Sequence, residues 1–110
     1  MNQLSSLSLR TKTILQVFGD MIRIARLERK QSQQALAQRL GVSRQTIAAI
    51  EKGDSRVAVG CVFEAATIVG IPLLADNPRE LQQLSSTVSH LATLLPERSR
   101  TTVPELNDDF

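Results

Sequence analysis

The sequence is poor in aromatic residues and cysteine, and it has no long apolar run. Three phenylalanines and no tryptophan or tyrosine predict a core built from aliphatic side chains. Cys61 is the single cysteine, so an internal disulfide is excluded and a reducing cytoplasm is expected. No apolar run approaches the roughly 18–20 residues that cross a bilayer. Because residues 1–12 lack a basic start, we do not expect a signal peptide.

Residue types that carry catalysis or bind metal ions are also scarce. His90 is the only histidine, and it lacks the spacing to Cys61 that a metal site requires. The sequence contains no glycine-rich phosphate loop and no nucleophile elbow, and no base stands beside its serines. We therefore expect no enzyme activity, no bound metal and no cofactor.

The charges are distributed unevenly along the chain. Residues 10–56 contain ten basic and four acidic side chains, whereas residues 57–110 contain three basic and seven acidic ones. A basic half fits a surface that binds a polyanion. The acidic half is expected to avoid DNA and to remain free for protein contacts.

Residues 32–53 have the pattern of two short helices joined by a tight corner. Ser32 is suited to begin the first helix and Gly41 to end it, and Ser43 is suited to begin the second. Ile47 and Ile50 fall on one side of that second helix. Two helices joined by a short glycine-containing turn form the unit whose second helix enters a DNA major groove.

The spacing of apolar residues predicts two further helices, one on each side of this corner. A helix over residues 13–30 is predicted, and a fourth helix around residues 60–69, although the segment before the latter offers no cap. The apolar positions expected to face the core from the first helix are Ile14, Phe18, Met21, Ile22 and Ala25. We thus expect a flexible arm over 1–12, a DNA-binding domain over 13–76, an amphipathic dimerisation helix over 78–95 and a disordered acidic tail over 96–110.

A leucine seam runs along the helix predicted after Pro78. Its members are spaced three, four, three and four residues apart, which is the spacing of paired helices. The leucine seam consists of Leu81, Leu84, Val88, Leu91 and Leu95. A two-fold dimer on a palindromic duplex operator would place it between two copies. Packing of the seam against the chain's own helices is the alternative.

Helical periodicity also predicts which side chains of the second corner helix meet DNA. With Ile47 and Ile50 facing the core, the opposite side carries Arg44, Gln45, Ala48 and Ala49. Arginine pairs with guanine O6 and N7, glutamine with adenine N6 and N7, and alanine with the thymine methyl group. The alternative for Arg44 and Gln45 is that they are merely solvated.

Phosphate contacts are expected from the edges of the same surface. Gln33 stands at a helix N-terminus, where backbone N–H groups attract anions. The other candidates are Ser43, Thr46, Lys52 and Arg56. Ser43 can also serve as a cap alone.

The sequence resembles the Cro and lambda-repressor-type (Xre-type) helix-turn-helix family over residues 18–71, about half of the chain. The matching stretches are FGDMIR at 18–23, Arg26, Ser32-Gln33, Leu36-Ala37, LGVS at 40–43, Thr46-Ile47, IEKG at 50–53 and VGI at 69–71. The resemblance implies a lambda-repressor-like bundle of about five helices that binds duplex DNA. It also implies an ion pair between Arg26 and Glu51, and a contact of Gln33 with the DNA backbone.

A second resemblance, to DNA-binding antitoxins of HipB type, is carried by shorter stretches. They are GIPLLAD at 70–76, the leucine-rich helix, LLPERSR at 94–100 and NDDF at 107–110. This resemblance implies an autoregulating repressor in the bacterial cytoplasm, at the nucleoid. It also implies a HipA-like serine/threonine kinase toxin, whole or split into subunits, as partner. A stand-alone regulator or phage-type repressor without a toxin, and a protein-interaction module that keeps the fold, remain the alternatives.

Overall fold

The computed structural model describes residues 6–97 and contains five helices in that range. They are α1 (Leu9–Glu28), α2 (Gln33–Leu40), α3 (Arg44–Glu51), α4 (Val59–Ile68) and α5 (Pro78–Thr93). No strand occurs among the described residues, so the all-α prediction is confirmed. The chain divides into two compact units, Met1–Leu73 with α1 to α4 and Leu74–Phe110 with α5. None of the five helices has the length and apolar character that spanning a membrane requires.

The corner formed by α2 and α3 has the predicted caps. The Ser32 hydroxyl accepts a hydrogen bond from the Ala35 N–H at 3.0 Å, and the Ser43 hydroxyl accepts one from the Thr46 N–H at 3.2 Å. Gly41 ends α2 in the left-handed conformation, with φ of 77°. That conformation favours glycine because it lacks a Cβ. Local capping chemistry therefore sets the angle of the corner.

The predicted start of α1 was wrong. The helix begins at Leu9, because the Ser8 hydroxyl caps it by accepting a hydrogen bond from the Thr11 N–H at 3.1 Å. Residues 9–12, assigned to a flexible arm, are therefore helical. Residues 1–5 of that arm lie outside the described part of the chain.

The core of the first unit is aliphatic, as the shortage of aromatic residues predicted. Its fully buried apolar members are Ile22, Leu36, Ala37, Ile47, Ile50, Ala65, Ala66 and Val69. The stripe predicted for α1 was partly wrong. Phe18 and Ala25 are half-buried against the core, but Ile14 and Met21 keep 57% and 42% of their surface exposed. Both lie to one side of the face of α1 that Ile22 and Arg26 define.

A close contact between α1 and the end of α3 fixes the position of α3. Gly19 is buried in α1, and a Cβ there would lie 2.5 Å from the Ile50 carbonyl oxygen and 2.7 Å from that of Glu51. Gly53, with φ of 79°, ends α3, while the Asp54 N–H donates to the Ala49 carbonyl at 3.0 Å. Only glycine at position 19 allows the two backbones to approach this closely.

The ends of α4 and α5 differ slightly from the predicted bounds. Helix α4 begins at Val59, after Ala58, which makes no side-chain capping bond. Helix α5 is capped by Asn77, which accepts from the Glu80 N–H at 2.9 Å. It ends at Thr93 and not at residue 95, because a proline, here at position 96, disfavours helical conformation in the residue before it. The tail predicted over 96–110 lies outside the described residues from position 98 onward.

Candidate nucleic-acid interface

The outward side of α3 carries the four side chains predicted to contact bases. Arg44 and Gln45 are exposed in its first turn, and Ala48 and Ala49 are partly exposed one turn later. The opposite side of α3 buries Ile47, Ile50 and Glu51. Helix α3 therefore presents one basic, amide-bearing edge followed by a flat surface of small side chains, which leaves room for close approach of a ligand.

A buried ion pair ties α1 to the end of α3. Arg26 Nε donates to Glu51 Oε2 at 2.6 Å, and Arg26 Nη2 donates to Glu51 Oε1 at 3.0 Å. Both residues are only 6% exposed. Arg26 Nη1 also donates to the Gln31 carbonyl at 2.8 Å, so the loop before α2 is joined to the same group. This bidentate geometry fixes the direction of α3 relative to α1.

Gln33 connects that buried pair to the exposed start of α3. Its amide nitrogen donates to Glu51 Oε1 at 3.1 Å, and its amide oxygen accepts from Arg44 Nη1 at 3.2 Å. From the sequence, only a phosphate contact is predicted for Gln33. The structure adds a continuous series of hydrogen bonds that runs from Arg26 through Glu51 and Gln33 to Arg44.

Ser43, Thr46 and Lys52 lie at the two ends of α3. The hydroxyls of Ser43 and Thr46 are 3.1 Å apart and hydrogen-bonded, while the Ser43 hydroxyl also caps the helix. Ser43 is exposed and Thr46 is partly exposed. Lys52 is exposed at the C-terminal cap of the helix. Both ends of α3 thus offer hydrogen-bond donors to solvent.

Arg56 does not project as a free cation in this structure. Asp54 Oδ1 accepts from the Arg56 backbone N–H at 2.9 Å and from Arg56 Nε at 3.0 Å, and Asp54 Oδ2 accepts from Arg56 Nη2 at 2.8 Å. Hydrogen bonds from the Arg56 side chain and backbone lower the pKa of Asp54 from 3.8 to about 2. Asp54 was missed as a site residue, although its position after Gly53, two residues before Arg56, is typical of an Asx turn.

An open groove lies beside the outward face of α3. Its volume is about 540 Å³, and residues of α3, the following loop and α4 line it. The lining includes Gln45, Thr46, Ala49, Arg56, Val57 and Cys61. Cys61 is only partly exposed there, as a small side chain in the first turn of α4. The groove makes the exposed face of α3 continuous with the Asp54–Arg56 loop.

The segment that forms this surface is similar to a known protein family. Residues 22–73 match the family model described as Helix-turn-helix. Residues 22–73 form a helix-turn-helix domain. The matched segment contains α2, α3 and every residue predicted to contact DNA, and the family is the one of Xre and lambda-repressor type. The all-helical fold agrees with a lambda-repressor-like bundle. A DNA-binding regulator is the function that this domain supports.

The search of curated proteins found no match to the chain, and neither did the search of solved structures. Within residues 6–97, no group of histidine, cysteine, aspartate and glutamate side chains is arranged to hold a metal ion.

Proposed function

We propose that this helix-turn-helix protein is a sequence-specific transcriptional repressor that inserts α3 into the major groove of operator DNA. The observation that carries the proposal is the exposed Arg44, held at the start of α3 by Gln33. Its guanidinium would pair with guanine O6 and N7, and Gln45 would pair with adenine N6 and N7. The small side chains of Ala48 and Ala49 would meet thymine methyl groups.

Phosphate contacts would surround these base contacts. Gln33 is the first residue of α2, where unpaired backbone N–H groups attract anions, and its second amide N–H remains available to a phosphate oxygen. Ser43 and Thr46 would donate hydroxyl groups, and Lys52 and Arg56 would add positive charge. Arg56 would approach a phosphate while retaining its bond to Asp54, because an arginine has five N–H donors.

The repressor would act as a two-fold dimer assembled through α5. All residues of α5 are exposed, and the leucine seam leaves 36–70% of each of its side chains in solvent. An isolated helix of 16 residues is marginal in water, and a second copy would cover the seam and stabilise the helix. Leu95 lies two residues beyond Thr93, the last residue of α5, and would contribute only at the end of the interface.

The dimer is tested by sedimentation of full-length variants. Leu84→Asp, in the leucine seam, should convert dimer to monomer because it puts a charge into the apolar interface. Ser86→Asp, on the opposite side of α5, should leave the dimer intact. Equal masses for both variants and the unmodified protein would contradict an interface at the seam.

We also propose that the repressor is the HipB-like antitoxin of a toxin–antitoxin operon in a bacterial cytoplasm. The support is the sequence resemblance at residues 70–76, 94–100 and 107–110. The partner would be a HipA-like serine/threonine kinase or its split subunits. Copurification from native cells tests this proposal: a kinase encoded beside this gene should be retained. Retention of DNA but of no kinase would favour a stand-alone regulator.

DNA binding itself is tested with the duplex that lies upstream of the gene. The protein should bind that duplex more tightly than a random one of equal length. Affinity for both should fall steeply with added salt, because each neutralised phosphate releases counterions. A protein that retains no duplex at low salt would contradict the repressor function.

A further inference from the structure

Helix α1 carries an exposed stripe that neither the core nor the DNA surface uses. Its members are spaced four, three, four, three and four residues apart, so they follow one side of the helix. The α1 stripe consists of Arg10, Ile14, Val17, Met21, Ile24 and Glu28. The four apolar side chains in its middle keep 42–57% of their surface exposed. Such a contiguous apolar surface marks an interaction site.

The ends of the α1 stripe carry opposite charges. Arg10 lies in the first turn of α1 and Glu28 is its last residue. Both are exposed, and within residues 6–97 neither forms an ion pair. Along the helix the stripe therefore changes from positive, through four apolar residues, to negative.

Because of this order of charges, the stripe of one copy is complementary to the stripe of a second copy that runs in the opposite direction. We propose that the α1 stripe binds the α1 stripe of a second copy of this chain, with the two helices antiparallel. With the two-fold axis at the level of Gly19, Val17 faces Met21 of the second copy and Ile14 faces its Ile24. In the same register Arg10 faces Glu28 of the second copy, at both ends of the interface. One register therefore pairs both the opposite charges and the apolar residues.

A parallel arrangement does not satisfy the charges. In that arrangement Arg10 would face Arg10 of the second copy, and Glu28 would face its Glu28. Like charges repel, so both ends of the interface would be unfavourable. An antiparallel pair is isologous and closes at two copies. The same surface on both partners explains why the α1 stripe has a basic residue at one end and an acidic residue at the other.

The position of the stripe leaves the DNA-binding surface free. At about 100° per residue, the α1 stripe lies on the side of the helix opposite Gly19 and Arg26. Both residues contact the C-terminal end of α3. Pairing through the stripe thus does not compete with α3, and it does not depend on the leucine seam. If the leucine seam forms dimers, the α1 stripe would join one dimer to the next on adjacent operators.

The contact is small, with four half-exposed aliphatic side chains from each copy, so it is weak in dilute solution. Disulfide trapping detects such a contact and reports its direction. In full-length protein carrying Cys61→Ala, Ile14→Cys and Ile24→Cys would be made as separate variants. Their mixture should crosslink about tenfold faster than either variant alone, because only the antiparallel pair brings positions 14 and 24 together. Gln16→Cys, exposed on another side of α1, gives the rate of random collision.

Charge reversal tests the ends of the stripe independently. Arg10→Glu and Glu28→Arg should each slow crosslinking about tenfold, because each creates two like-charge contacts. The double variant should restore the original rate, and so should a mixture of the two single variants. Both substitutions favour the helix dipole, so a loss of crosslinking does not arise from unfolding of α1.

Three results would overturn the proposal. The first is crosslinking of the 14–24 mixture no faster than the Gln16→Cys control. The second is faster crosslinking of each single variant with itself, which indicates parallel helices. The third is a variant carrying both charge reversals whose crosslinking rate stays as low as that of the single reversals.

Discussion

The side-chain oxygen of Gln33 accepts a hydrogen bond from Nη1 of Arg44 at 3.2 Å. The orientation of this amide is fixed, because the Glu51 carboxylate only accepts and therefore faces the Gln33 nitrogen. The exposed guanidinium that we propose for base contact is thus held by a residue anchored in the buried ion pair. Orientation before binding reduces the conformational entropy that the Arg44 side chain loses on DNA.

Replacing Gln33 should weaken operator binding without unfolding the protein. In Gln33→Leu, Arg44 loses its partner and the proposed phosphate contact loses its donor, so we expect a loss of about 1–2 kcal/mol in binding free energy. Gln34→Leu, at the exposed neighbouring position, is the control. Fluorescence anisotropy at fixed salt measures the operator affinity of both variants. Operator affinity equal to that of the unmodified protein would show that Gln33 does not support the interface.

Removing only one partner of the buried ion pair should lower the stability of the protein strongly. Glu51→Leu leaves the Arg26 guanidinium buried without its carboxylate, and we expect a loss of about 3–5 kcal/mol in the free energy of unfolding. The double variant Arg26→Met with Glu51→Leu should recover most of that loss. Urea denaturation measures each value. A single variant as stable as the unmodified protein would contradict the described geometry.

Alanine substitutions at two glycines should have opposite effects on the stability of the protein. Gly19→Ala places a methyl group within 2.5 Å of the Ile50 carbonyl and should destabilise the protein by about 1–3 kcal/mol. Gly60→Ala meets no atom within 4 Å and lies within α4, so it should stabilise by about 0.5–1 kcal/mol. Thermal unfolding compares the two. A tolerated alanine at position 19 would rule out the close approach of α1 to α3.

Asp54 should titrate well below an ordinary aspartate. Its pKa is about 2 because Arg56 donates three hydrogen bonds to the carboxylate. A lowered pKa means that the pair contributes stability above about pH 4, and that this contribution is lost as pH falls through about 2. NMR titration of the carboxyl carbon measures this pKa. Arg56→Gln should raise it toward 3.8, and an unchanged value would contradict the pairing.

The parts of the fold that the sequence predicts are those that local chemistry decides. Ser32, Gly41 and Ser43 determine the ends of α2 and α3 through contacts with neighbouring residues. The start of α1 was missed because Ser8 lies in a serine-rich stretch that offers several possible caps. The buried side of α1 was misassigned in part because apolar residues, including Ile14 and Met21, cover two adjoining sides of that helix.

The candidate site was predictable to a similar extent. Periodicity alone indicates that Arg44 and Gln45 point outward when Ile47 is buried. The bonds of Gln33 to Arg44 and Glu51 could not be predicted, because they join side chains 11 and 18 residues apart through particular rotamers. These long-range contacts turn a basic helix end into a preorganised one.

The most direct test of the central proposal compares Arg44→Ala on two duplexes, the upstream duplex and a random one. We expect affinity for the upstream duplex to fall by about 1–3 kcal/mol, since a bidentate guanine contact is lost. Affinity for the random duplex should change little, and Arg39→Ala, an exposed basic residue of α2, should leave the preference between duplexes intact. Equal losses of affinity on both duplexes would contradict base recognition by Arg44.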